Sequence, residues 1–155
     1  MARPLPPDRR EVRPEHLLRA VLDDALVDQV LTGLGTSGTA VRTTLEHRML
    51  ETVDDIGDEV LFALGIDIET VLVVLNPPYD EPDWRGRTLS PAARDVLVKA
   101  LVESSRSSAP RVHAGHVLLG LLGSHDPVVV GTLRDHGVRP KPTREQVELW
   151  GRRAG

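Results

Sequence analysis

Val112-His113-Ala114-Gly115-His116-Val117-Leu118-Leu119-Gly120-Leu121-Leu122 restates, with its order kept, a phrase met near the start of the chain, Arg13-Pro14-Glu15-His16-Leu17-Leu18. Each copy continues through a short polar break into a second apolar stretch that stops at a glycine. The first ends Val30-Leu31-Thr32-Gly33-Leu34-Gly35 and the second Thr132-Leu133-Arg134-Asp135-His136-Gly137. Self-similarity of this kind marks a duplicated structural unit, and the apolar spacing inside each copy is helical.

Outward from this phrase the helices are delimited by their end signals. Pro14 opens the first, which runs to about Leu22 with Leu17, Leu18, Val21 and Leu22 on one face. Asp24 caps a second, Ala25 to Leu34, with Leu26, Val30, Leu31 and Leu34 inward, and Gly35 supplies the left-handed stop. Ser37 caps a third that carries Val41 and Leu45, six and ten residues after Gly35. Gly65 is followed by Val71 and Leu75 at the same offsets, which predicts an extra helical half-repeat and favours helix over strand for this β-branched segment. Ser90 and Pro91 open a long helix whose Ala93, Leu97, Ala100, Leu101 and Ser104 form a small-residue face for close packing. Asp126 and Pro127 open another. After Gly137, Pro140 and Pro142 lengthen the loop by two residues before a last helix from about Thr143 to Trp150.

The fold expected is all-α, a compact bundle of short helices from two pseudo-repeats. Residues 1–13 form a flexible proline- and arginine-rich arm and 14–155 one domain: first repeat 14–45, half-repeat 46–76, linker 77–88, second repeat 89–151. A chain of 155 residues buries a sizeable core. With no cysteine, no long apolar run and no apolar stretch behind the N-terminal arginines, the expectation is a cytoplasmic protein without disulfide, membrane span or secretory signal.

Net charge is −4, with arginines gathered at both ends and an acidic stretch between Glu46 and Asp83. One Phe, one Tyr and two Trp offer little to stack on bases, so nucleic acid is not an expected partner. The two lysines, Lys99 and Lys141, do not follow glycine, which rules out a phosphate loop of the GxxxxGK[ST] type. His113 and His116 lack further metal donors at ligand spacing, and Asp54, Asp55, Asp58 and Glu59 lack a nucleophile or base beside them. No catalytic residue, metal or cofactor is expected. Trp84 and Trp150 are read as packing residues.

The run Leu89-Ser90-Pro91-Ala92-Ala93-Arg94-Asp95-Val96-Leu97, then Gly115 to Leu122, then Leu133 to Val138, resembles the repeat of the Clp N-terminal domain, the helical module ahead of the ATPase rings of ClpC and ClpA unfoldases. The similarity covers Leu89 to about Trp150 best; residues 14–45 match the other repeat more weakly, and the half-repeat is similar to one in stand-alone members. The resemblance implies a non-catalytic module that binds Clp protease components, adaptors, substrates or a small ligand, and so modulates proteolysis under stress or acts as a decoy for the protease. It also implies phosphoarginine recognition by a glutamate preceding the repeat histidine. Glu15 and His16 hold those places in the first copy, Gly115 and His116 in the second, so one such site at most is expected. The groove between the repeats, near these four residues, is the expected binding place. The competing class is a structural protein whose repeat surfaces pair in a homodimer and bind no peptide.

Overall fold

The computed structural model describes residues 11–51, 71–72, 88–107 and 111–154. Residues 1–10 of the expected arm, most of the half-repeat including Gly65 and Leu75, and most of the linker including Trp84 lie outside the described residues, whereas Val12, expected in that flexible arm, is strand-paired and buried. The described chain is all-α, with seven helices: α1 Pro14–Val21, α2 Ala25–Gly33, α3 Gly38–Glu51, α4 Pro91–Arg106, α5 Ala114–Leu122, α6 Pro127–Asp135 and α7 Pro140–Ala154. A two-residue parallel pairing of β1, Glu11–Val12, with β2, Thr88–Leu89, ties the entry of the first repeat to that of the second. Val71 and Leu72 are helical, and Val71 is buried.

The end signals act as their chemistry dictates. The Asp24 carboxylate accepts from the Leu26 and Val27 amides at 2.9 and 3.3 Å, and Asp126 accepts from Val128 and Val129 at 3.0 and 3.1 Å, satisfying donors that a first turn leaves unpaired. Gly35 and Gly137 sit at φ +91° and +69°. At both, the following residue's N–H reaches back to the carbonyl five residues earlier, Thr36 to Leu31 at 3.0 Å and Val138 to Leu133 at 2.9 Å. Alanine at either glycine would have open space for its Cβ but the wrong backbone. We predict that Gly35→Ala and Gly137→Ala each cost about 1 kcal/mol in urea unfolding, with the slope unchanged.

The last helix begins earlier than its prolines suggest. Pro140 and Pro142 lie inside the first turn of α7, where a missing N–H forfeits no helical bond. The loop after Gly137 therefore has no extra residues: α3 and α7 both start three residues past their glycine. Six and ten residues past it come Val41 and Leu45 in one copy, Thr143 and Val147 in the other, all buried.

Packing between the two copies is reciprocal. The first helices of the two copies, α1 and α5, pack on each other; α2 packs on α7, and reciprocally α3 packs on α6. One apolar core runs through both copies, from Leu17, Leu18, Val30, Leu31 and Leu45 to Val117, Leu118, Leu121, Leu133 and Val147. Helix α6 turns away from α5 by 104°, close to a right angle. In α2, Val27 joins the buried set while Leu26 and Leu34 are only partly covered.

Helix α4 has no described counterpart in the first copy. It buries Ala93, Val96, Leu97, Ala100 and Ser104, and Gly120 of α5 lets its backbone come close. Leu101, expected in this face, is 45 % exposed: it lies between the buried positions Ala100 and Ser104, about 100° round the helix from Ala100. Trp150 is partly buried against the core and donates through Nε1 to the Gln146 Oε1 at 3.2 Å. Among the described residues no single helix is long and apolar enough to cross a membrane.

Candidate functional site

The repeat histidines occupy the third position of α1 and α5 and are buried. The ring Nδ1 of His16 accepts from the Arg13 N–H at 3.0 Å, and that of His116 accepts from the His113 N–H at 3.0 Å. Each ring thus satisfies the backbone donor of the residue that precedes its helix, the task a glutamate performs in a capping box. With Nδ1 accepting, the proton of a neutral ring sits on Nε2. In His116 that nitrogen lies 3.1 Å from the Ser107 hydroxyl, which donates in turn to the Ser104 carbonyl at 3.1 Å.

This wiring decides the chemistry of the one serine–histidine pair at the site. A base that activates serine must present a free lone pair to it, whereas His116 presents a proton. Burial, and then the neighbouring His113, hold the His116 imidazole down at about 4, with Glu103 opposing, so it stays neutral near pH 7. Burial also lowers His113, against the pull of Asp24. The two rings stack with centroids 3.7 Å apart. They are parts of the helix start, and among the described residues no group of three metal-donor side chains converges.

Glu15 and Gly115 hold equivalent positions and have opposite surroundings. Glu15 Oε1 is 3.9 Å from the Arg13 guanidinium, and Oε2 is buried without a hydrogen-bond partner. Burial first, and then the charge of Asp126, push its carboxyl up to about 7, against the pull of its own backbone N–H and of Arg13. The first helix of one repeat therefore brings its acid against the cap of the other repeat's second helix. At Gly115 the corresponding space is filled: a Cβ there would stand 2.9 Å from His113 Cε1 and 2.9 Å from Val147 Cγ1. His113 is the cause, because its Nδ1 accepts from the Gly115 N–H at 3.1 Å and so draws the ring across the glycine. A glutamate side chain has no room in the second copy.

The four predicted residues thus form two groups, Glu15 and His16 with Arg13 and Asp126, and Gly115 and His116 with His113 and Ser107. Three further features were not foreseen. Asp126 meets Glu15, although only its capping role is visible in the sequence. Glu103 of α4 takes Arg144 of α7 in a two-pronged bond, 3.1 Å to Nε and 2.8 Å to Nη2, which lowers the carboxyl and raises the guanidinium. His136 bridges Thr36 at 3.1 Å and Thr44 at 2.7 Å, and beside it Arg48 pairs with Asp135, joining α3 to α6 across the two copies.

Three clefts of about 150, 260 and 320 Å³ are lined by second-repeat residues only. They follow α4, α5 and α7 and then pass to the α6–α7 corner. No protein-family model matches the chain, and no curated protein matches it.

Proposed function

We propose that the chain is a non-catalytic binding module, built like the N-terminal domain of ClpC- and ClpA-type unfoldases, that engages a Clp protease component, adaptor or substrate and so modulates what the protease receives. One observation carries the reading: the reciprocal packing of α2 on α7 and α3 on α6, with the same aspartate cap, the same ring-capped histidine and the same left-handed glycine at matching points. That is the arrangement expected of a duplicated helical unit bearing the quoted Clp-repeat residues. Buried histidines whose rings are taken up by their own helix starts fit a module that binds without covalent chemistry. Of the two phosphoarginine places the resemblance implies, only the one at Glu15 has a carboxylate.

A second reading, a structural homo-oligomer without a peptide ligand, is favoured by the outward apolar stripe Val98, Leu101 and Val102 on α4. Light scattering of the chain alone, with a ClpC-type ring and with phosphoarginine peptides separates them. The module reading expects a monomer whose mass rises with the ring. A stable dimer indifferent to ring and peptide would replace it with the second reading.

A further inference from the structure

The three clefts are one trough. The smallest shares Glu103, Arg106, Leu119 and Arg144 with its neighbour, which shares Leu122 and Pro140 with the largest. Its floor is apolar, made by Leu119 and Leu122 of α5 and, at the far end, by Leu133 and Val138. Val102 stands on its edge, 45 % exposed, and continues the floor out to the stripe on α4.

The rim has a sign opposite to that of the chain. The carboxylates lining the trough are Glu103 and Glu148, and Glu103 is already held by Arg144. Lys99 is held by Asp95 at 2.9 Å and by the Gly123 carbonyl at 2.6 Å. Arg106, Arg134 and Arg139 are exposed and have no ion-pair partner among the described residues. The N-terminus of α7 opens beside Arg139, adding the positive end of a fifteen-residue helix. In a chain of net charge −4, three spare guanidiniums around an apolar floor form a local field that attracts acids and repels bases.

We propose that this trough is the docking surface of the module for an acidic amphipathic peptide segment of a partner protein. Its apolar side chains seat on Leu119, Leu122 and Val130, and its carboxylates meet Arg106, Arg134 and Arg139. The proposal rests on the peptide-binding reading above and gives it a place and a ligand chemistry. Apolar side chains supply the affinity, and the guanidiniums select the partner and speed its encounter.

The test uses the full chain and two labelled peptides of equal length, one alternating Glu with Leu and one alternating Lys with Leu, read by fluorescence anisotropy. The Glu peptide binds saturably and more weakly as salt rises, and the Lys peptide does not bind. The variant Arg134→Glu/Arg139→Glu, changed at two exposed positions, melts like wild type and binds the Glu peptide at least about tenfold more weakly. Equal binding of both peptides, or undiminished binding by the variant, overturns the proposal. So does a wild-type dimer that the variant dissolves, since a second copy would then fill the trough. The two levels separate: a ClpC-type ring bound equally by wild type and variant sinks the trough and spares the module, while a ring that binds neither, with the Glu peptide still captured, sinks the Clp assignment and spares the trough.

Discussion

Gly120→Ala is expected to lower the thermal midpoint by about 6 °C, through a net loss of about 2 kcal/mol. Alanine in a helix interior ordinarily gains about 1 kcal/mol over glycine, so helix propensity alone predicts the opposite sign. At Gly120 the new Cβ would stand 2.4 Å from the Val96 carbonyl oxygen and 3.2 Å from the Ala100 nitrogen. Both are backbone atoms of α4, so relief requires that α4 withdraw from α5, opening the contact that buries Ala93, Val96 and Ala100. Gly131→Ala is the matched control. Its Cβ would meet the Arg48 guanidinium at 2.8 Å, the far end of a flexible side chain, at the expense of one half-exposed ion pair with Asp135. The helix gain and the pair's loss nearly cancel, leaving stability within about 0.5 kcal/mol of wild type. Equal midpoints for the two variants would mean that α4 does not pack on α5 through this glycine.

Glu15→Gln is expected to stabilise the protein at pH 8 and leave it nearly unchanged at pH 4. A carboxyl raised from 4.5 to about 7 by folding binds its proton more tightly in the native chain than in the unfolded one. Its contribution is complete below pH 4.5, declines as pH rises through 7 and is lost above, a swing of about 3 kcal/mol. His116 works in the opposite sense. Its imidazole falls from 6.5 to about 4 on folding, so it contributes fully above pH 6.5 and loses that contribution as pH falls through 4. Between pH 4.5 and 6.5 the two slopes oppose, from 6.5 to about 7 the decline from Glu15 stands alone, and above that both are level. Glutamine keeps the shape, removes the charge that faces Asp126 and offers N–H donors to that carboxylate. Urea unfolding from pH 4 to 8 should show wild type nearly level from pH 4.5 to 6.5 and losing stability from there to about pH 7, and the variant rising to pH 6.5 and then level. A variant whose profile still falls above pH 6.5 would place the titrating group elsewhere.

The helix ends were the most legible part of this chain, because each is decided locally. Asp24, Ser37, Ser90 and Asp126 cap where their spacing said, and Gly35 and Gly137 stop where a left-handed residue was needed. The misreadings came where local signals compete with packing. Two prolines suggested a longer loop before α7, yet a first turn accepts both. Leu101 fitted an apolar count on α4, but its angle on the helix turns it outward. The site was legible only as a list of residues. That Glu15 would face Asp126, that His113 would fill the place of the missing glutamate, and that Glu103 would hold Arg144 depend on helices far apart in sequence. Periodicity carries no information on which helix starts converge. The ring-capping role of both histidines, by contrast, follows from a distance of three residues and recurs because the phrase recurs.

Amide hydrogen exchange of the chain, alone and saturated with a ClpC-type ring, reads directly whether the pair of packed repeats holds the proposed partner. Protection is expected to rise along the trough, in the second half of α4, in α5 and at the start of α7, with α3 unchanged. Exchange identical with and without the ring, in a chain already dimeric, would contradict the binding-module reading.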